Sequence, residues 1–400
     1  MFKVLKVQKF LHSLWHKMKA KKLHIIQIIL IAILIKVVYI VFAFVVDSMS
    51  QDFGFSHDAK GVVGLFKRND SYWYEDICRN GYNEISEARD LGWSSQESLH
   101  QSNWGFMPGY PMLISALSYL GLSFNTAGFI LAFCFSILAF VLFYWLASIW
   151  FNDNRNGFFA TLLFMCFPFH YYFSVLYTES IFCALLIGLM LAVIKKRWII
   201  VACLASYLVI LRASGIVLML PLAIFILENQ GVLDKLKLRK SLLSKDAIIG
   251  LIPLVFPALA FVGYCYFQNI NTGDSFAYTT AQQQGWNREF MFPLAGLFRS
   301  GSFVGQFNSI YAIVFMVVAF LGMKRLTLSY NLILWFPLLL PLAAGNVEGL
   351  PRYISTIFPF MFLFGYWLKN VKWRMLLLPI LFGIQLYTFY FWLISHPFSR

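Results

Sequence analysis

The chain has 400 residues, 60% of them hydrophobic and 12% charged, with a mean hydropathy of +0.70. A soluble protein of this size carries about a quarter charged residues. The composition therefore excludes a soluble globular enzyme, and recurring apolar runs long enough to cross a bilayer predict an all-α polytopic membrane protein. The net charge of +14 excludes less, because Lys and Arg concentrate in short segments between apolar runs, as positive-inside orientation produces. No run resembles a nucleic-acid module, so no nucleic-acid partner is expected. The cysteines are Cys78, Cys134, Cys166, Cys183, Cys203 and Cys265; no C-x-x-C spacing supports a disulfide frame or a zinc site.

Residues 1–24 alternate lysines with Val4, Leu5, Phe10, Leu11, Leu14 and Trp15. This spacing predicts a basic amphipathic helix on the anionic cytoplasmic leaflet. Residues 25–400 then form one transmembrane domain. The first apolar run, 25–46, is too long for a cleavable leader and reads as an anchored first span. Residues 47–125 follow as a large exported loop.

Within that loop lies the most polar long segment of the chain. Asp70, Glu75, Asp76, Glu84, Glu87, Asp90 and Glu97 stand among Tyr72, Trp73, Tyr74, Tyr82, Trp93 and Trp104. The apolar stretch 108–122 that ends the loop poses a parity question. If it spanned, Lys195-Lys196-Arg197, the basic run within 234–246, Lys324-Arg325 and 369–374 would all lie outside, against the positive-inside bias. Placed along the outer interface, it leaves all of them inside. Further spans are expected at 126–150, 157–173, 178–194, 198–212, 214–228, 247–267, 306–323, 328–344, 353–368 and 374–394. That makes about eleven spans, with a second exported loop at 268–305 and isolated charges at span ends on the exported face.

Each polar motif carries two readings. Asp70, in N-D-S-Y-W-Y, is a partly desolvated general base or a helix cap. Glu179, in Y-T-E-S at an outer span end, lines a wet cavity or opens a helix where the dipole favours it. Arg212, in R-A-S-G, and Arg352, in P-R-Y, bind a phosphate through the guanidinium fork or snorkel to the interface. The run 271–286, N-T-G-D-S-F-A-Y-T-T-A-Q-Q-Q-G-W, suits a hydroxyl-rich ligand, or is an interfacial helix capped by Asp274. His100 and Trp104 flank the return to apolar sequence; a lone histidine there is more often a bystander than a ligand.

The order of the motifs is more specific than any one of them. D-S-x-W-Y followed by G-Y, F-x-P-x-Y-P, Y-T-E-S, R-x-x-G, G-D-x-x-A-Y with Gln and Trp beyond, and P-R-Y resembles the PIG-V-like mannosyltransferases. These are multi-spanning glycosyltransferases of the GT-C type, related to the enzyme that adds the second mannose to the GPI anchor precursor. The likeness runs from about Asp70 to Tyr353. It implies a GT-C fold with interfacial helices in the first exported loop. It also implies an inverting transfer of a sugar, mannosyl in type, from a polyprenyl- or dolichyl-phosphate donor to a glycolipid or protein hydroxyl.

On that resemblance Asp70 is the catalytic base, with Glu75 and Asp76 as supporting or alternative acids. Tyr177, Glu179, Arg212, Asp274, Gln283, Trp286, Arg352 and Tyr353, with His100 and Trp104, are donor- or acceptor-binding candidates. No metal and no cofactor beyond the lipid-linked sugar are expected, and a monomer suffices. The implied setting is a bacterial inner membrane with the site facing the periplasm, or the lumenal face of the endoplasmic reticulum in a eukaryote. Two departures stand out: Asn69 and Ser275 replace the family's usual tryptophan and proline. The rival expectations are a transporter or lipid flippase, which would carry ionisable residues near mid-span and an inverted repeat, or a non-catalytic subunit of a glycosylation complex.

Overall fold

In lipid every backbone N–H and C=O must find a partner within the protein, so long apolar stretches with few breakers fold as helices. The computed structural model describes residues 2–52, 61–83, 101–232, 245–299, 301–345, 347–396 and 398, and every regular element among them is helical. Five stretches are long and apolar enough to cross a bilayer: Lys21–Met49, Phe124–Phe151, Ala247–Thr272, Phe303–Arg325 and Val371–Leu393. The chain is an α-helical membrane protein.

The expected basic N-terminal helix and first span run together as one helix, α1 (Phe2–Asp52), with no break at 24–25. A single turn, α2 (Gly61–Gly64), leads to α3 (Asp70–Asn80). The stretch read as interfacial holds α4 (Gly109–Ser118), ten residues and so about 15 Å long, half of a hydrocarbon core. Its length excludes a span.

Next come α5 (Phe124–Phe151) and α6 (Asn154–Cys166). Ser123 caps α5 by accepting from the Thr126 amide, Asn152 ends it in a left-handed conformation, and Asp153 caps α6 by accepting from the Arg155 and Asn156 amides. Polar loop residues thus turn the chain within three positions.

Several of the expected spans are helices of less than full crossing length. They include α7 (Glu179–Ile194), of 16 residues, and α8 (Trp198–Leu211), of 14. The 214–228 stretch is split into α9 (Ala213–Val217) and α10 (Met219–Asn229). After α11 (Lys245–Leu251) and α12 (Val255–Thr272), the second expected loop holds α13 (Ala277–Trp286) and α14 (Pro293–Gly296). The chain ends with α15 (Phe303–Gly322), α16 (Leu328–Ala343), α17 (Leu350–Ser355), α18 (Pro359–Trp367) and α19 (Val371–Leu393). The expected 353–368 span is therefore broken. Pro351 and Pro359 each sit in the first turn of a helix, where the missing N–H costs nothing, and the backbone between α17 and α18 is irregular.

Helix α5 packs on α6 and α7, α7 on α8, and α8 on α12, while α1 lies against α5, α6 and α19. Lipid tails are as apolar as leucine, so close packing rather than water exclusion holds these faces together. Much of it is aromatic: Phe143 meets Phe164 at 4.7 Å and Phe362 at 5.5 Å between ring centroids. Such pairs are worth about 0.5–1.5 kcal/mol each.

One charge breaks the expectation that charges sit at span ends. Lys36 is buried mid-way along α1, donating to the Ser174 hydroxyl and, at 3.4 Å, to the Phe173 carbonyl. A four-carbon stem lets the ammonium reach two oxygens on the turn before α7, which satisfies it without a carboxylate.

Candidate functional site

Four charged side chains from four separate segments meet at one end of the bundle. Asp70 is the first residue of α3, and the N-cap residue before it, Asn69, makes no side-chain cap bond. Arg352 Nη1 donates to Asp70 Oδ2 at 2.6 Å. Arg352 Nε lies 3.4 Å from Glu179 Oε1, and Arg212 Nη1 donates to the same oxygen at 2.9 Å. The order Asp70, Arg352, Glu179, Arg212 is one continuous ion-pair chain.

Local structure sets each member. Ser71 Oγ donates to the Leu176 carbonyl, and the Leu176 amide donates to the Phe66 carbonyl. These bonds fasten the start of α3 to the strand of backbone that leads into Tyr177 and Glu179. Asn69, just before Asp70, has φ 43°, a left-handed conformation that asparagine tolerates better than most residues. Glu179 opens α7 and is buried. Arg212 occupies the extended residue between α8 and α9. Gly215 closes that corner: a Cβ there would meet the Leu208 carbonyl oxygen at 2.1 Å. Gly109 likewise lets α4 touch the end of α8, since its Cβ would lie 2.8 Å from Leu211 Cα, and its carbonyl accepts from the Tyr207 hydroxyl at 2.5 Å. The small residues of R-x-x-G and P-G-Y-P thus bring backbones together beside the arginine. Arg352, in α17, lies over the rings of Tyr177 at 5.2 Å and Tyr353 at 4.9 Å, which lowers the cost of holding its charge away from bulk water.

These groups line a cavity of about 370 Å³. Of the sequence candidates, Asp70, Tyr177, Glu179, Arg212, Gln283, Trp286, Arg352 and Tyr353 face it. Pro337, Leu340, Pro341, Ala343 and Ala344, on and just after α16, make an apolar wall. The cavity is therefore amphipathic: ion pairs and amides on one side, aliphatic carbon on the other.

Other candidates lie elsewhere. Glu75 pairs with Lys67 and, at 2.7 Å, with Arg79, and does not line the cavity. Asp76 accepts from Asn80 at 2.8 Å and Asn103 at 2.7 Å, tying the middle of α3 to the 103–105 turn. Asp274 caps α13, accepting from the Phe276 amide at 2.8 Å and the Thr280 hydroxyl at 2.5 Å. Trp104 is fully buried, stacked on Tyr82 at 4.3 Å, with its indole N–H given to the Asn83 carbonyl. His100 lies outside the described residues.

The cavity also holds groups that the sequence reading passed over: Tyr74, Tyr278, Gln282 and Arg288. Burial, reinforced by the Asp70 carboxylate, raises the Tyr74 phenol above its ordinary range, and burial raises that of Tyr278. Both present neutral hydroxyls at physiological pH. Arg288 had one available signal: with Arg299 it is one of two basic residues in the 268–305 loop, and it stands two positions past Trp286. Trp286 is held by Trp73 and Phe106 at 5.5 and 5.6 Å between centroids, which fastens the end of α13 to α3. Among the described residues no group of three His, Cys, Asp or Glu side chains is placed to hold a metal ion.

No family model matches the sequence, and no curated protein matches it.

Proposed function

We propose that this chain is a membrane glycosyltransferase of GT-C type, mannosyl in kind, that transfers a sugar from a polyprenyl-phosphate donor to an acceptor hydroxyl on the exported face. The observation that carries this reading is the convergence of Asp70, Glu179, Arg212 and Arg352 on one amphipathic cavity. A sugar joined to a phosphate on an isoprenoid chain needs hydroxyl-binding amides and aromatics, a cation, a base and an apolar channel. The cavity offers each: Gln282, Gln283 and Trp286, the arginines, Asp70, and the α16 wall.

In the proposed step the acceptor oxygen attacks the anomeric carbon from the face opposite the phosphate. Its proton passes to Asp70 Oδ. The bond between the anomeric carbon and the phosphate oxygen breaks, and its electron pair leaves with the phosphate. One carboxylate is enough, because phosphate needs no protonation to depart, unlike the alcohol released by a glycosidase. The ion pair with Arg352 keeps the carboxylate oriented before the acceptor arrives.

A transporter or flippase would carry ionisable groups along a path through the bundle. Lys36 is such a group by position, but it does not line the cavity, and the space beside it is about 10 Å³, room for one water at most. The deciding assay uses the purified chain in lipid nanodiscs with a polyprenyl-phosphate sugar or a nucleotide sugar. Release of free polyprenyl phosphate with glycosylation of an added glycolipid is expected. Transfer from the nucleotide sugar alone would sink the donor assignment.

A further inference from the structure

The cavity is lined by three guanidiniums and two carboxylates. Each carboxylate is already ion-paired through one oxygen: Asp70 Oδ2 with Arg352, and Glu179 Oε1 with Arg212 and Arg352. Arg288 is left over. Among the described residues no carboxylate lies within salt-bridge distance of it, and its Nε is shut from solvent with no hydrogen-bond partner. Its neighbour Glu289 turns the other way, to Arg299 at 3.3 Å. The groups around Arg288 are the phenols of Tyr353 and Tyr278; neither is a carboxylate, and the Tyr353 hydroxyl is shared with Arg352, whose Nη2 donates to it at 3.0 Å. A half-buried guanidinium with its Nε shut from water and no carboxylate partner is costly, and the cheapest remedy is a ligand that brings an anion.

We propose that Arg288, rather than Arg212 or Arg352, receives the anion of the ligand, and that this anion is a phosphate monoester or diester carrying an apolar chain. Arg212 and Arg352 already hold Glu179 and Asp70, so a phosphate at either competes with a carboxylate, whereas Arg288 holds none. Its fork presents parallel N–H donors that match phosphate oxygens. The chain follows from what adjoins it. Phe290, two residues on, lines the same cavity and is 92% exposed. Phe292 and Phe298 beyond it are 70% and 82% exposed, and their segment lies beside the aliphatic end of α16, the Met291 amide donating to the Ala343 carbonyl at 2.9 Å. A charged head at Arg288 therefore has an apolar exit beside it. The choice of a phosphate ester over another anion rests on the glycosyl-transfer reading; the location of the anion does not.

The test titrates three probes into the full-length protein in detergent, by isothermal calorimetry: farnesyl phosphate, farnesol and inorganic phosphate. Wild type should bind farnesyl phosphate at least about tenfold more tightly than either of the others, as a charged hydrogen bond added to apolar burial predicts. Arg288→Gln should weaken farnesyl phosphate by at least about tenfold, to the level of farnesol, with farnesol binding retained as evidence of an intact cavity. Arg288→Lys should recover part of the loss, since it restores a point charge without the fork. Unchanged farnesyl phosphate binding in Arg288→Gln would overturn the assignment, as would loss of farnesol binding together with it. Inorganic phosphate binding as tightly as the ester would remove the apolar exit. If Arg288→Gln loses the ester and wild type transfers no sugar, the transfer reading fails and the anion site stands. If wild type transfers sugar and Arg288→Gln binds normally, the reverse holds.

Discussion

Helix α3 holds aspartates six positions apart, one at its start and one near its middle, and their partners differ in kind. Asp76, near the middle, is buried and accepts from the amides of Asn80, Asn83 and Asn103, all within 27 residues of it in the chain. Asp70, at the start, is 28% exposed at its side chain, faces a cavity, and is held by a guanidinium 282 residues away. Neutral amides that are local in sequence build a loop. A charged partner from a remote segment, beside open volume, builds what the proposed function reads as a place where a proton can be taken. The same residue type on one helix has two uses because its surroundings decide what it does.

The largest expected break of this contrast comes from Asp70→Asn. Removing a general base costs about 10²–10⁴ in kcat, and the folded protein should survive, because Asn still accepts a hydrogen bond from Arg352. The measurement is single-turnover transfer in nanodiscs alongside the melting midpoint. Wild-type turnover in that variant would take the role away from Asp70.

Glu179→Gln probes the centre of the ion-pair chain. Glu179 is 1% exposed and serves two guanidiniums through one oxygen. Taking away the charge leaves Arg212 without a carboxylate and Arg352 with Asp70 alone. Breaking a buried pair from one side costs about 3–5 kcal/mol, so unfolding in detergent should begin at clearly lower temperature. An unshifted midpoint would mean that the arginines are satisfied by water and that Glu179 is not the hub. Gly215→Ala should act on the same corner by pressing α9 off α8.

Much of this arrangement is readable from the chain, and the reasons for the gaps are physical. The parity of basic loops places 108–122 off the spans, and α4, at about 15 Å, has the length of a surface helix. Motif order picks out Asp70, Tyr177, Glu179, Arg212, Gln283, Trp286, Arg352 and Tyr353, which line one cavity. Span lengths are less legible. Hydropathy registers an apolar run but not its breaks, and α17 and α18 divide where tertiary contacts let the backbone leave the helix. Asp274 and Trp104 carry the right chemistry for sugar binding and spend it on a helix cap and a core stack. Only three-dimensional placement separates those uses. Arg288 is missed for the opposite reason: its meaning is that its neighbours are already paired, and pairing is invisible in one dimension. Lys36 was open to view as a lone charge inside an apolar run; its partners, the Phe173 carbonyl and the Ser174 hydroxyl, were not.

Asp76→Ala sharpens the comparison from the structural side. It strips the buried amides of Asn83 and Asn103, and the exposed one of Asn80, of their acceptor, at about 1–3 kcal/mol of stability. Transfer measured well below the new midpoint should stay within about threefold of wild type, because Asp76 lies off the cavity. A loss of rate as deep as that of Asp70→Asn, at a temperature where the variant is folded, would move the base off the cavity to Asp76.

Glu75→Gln should have the smallest effect and bears most directly on which acid of α3 takes the proton. Glu75 is one turn past Asp70 and matches it in charge, so sequence spacing alone gives it an equal claim. Its oxygens are committed to Lys67 on one side and, at 3.0 and 2.7 Å, to the Arg79 guanidinium on the other. Arg79 is 67% exposed, so that pair is screened by water and contributes about 0.5 kcal/mol; the Lys67 pair, 15% and 16% exposed, adds somewhat more. Loss of both should lower stability by about 1 kcal/mol and leave kcat untouched. The two lysine and arginine partners also give the reason: a carboxylate fastened between two cations away from the cavity has neither the acceptor hydroxyl within reach nor a free lone pair to offer it. Should Glu75→Gln stop transfer while Asp70→Asn does not, the hydroxyl must approach from the Lys67 side of α3, and the cavity would then hold the donor alone.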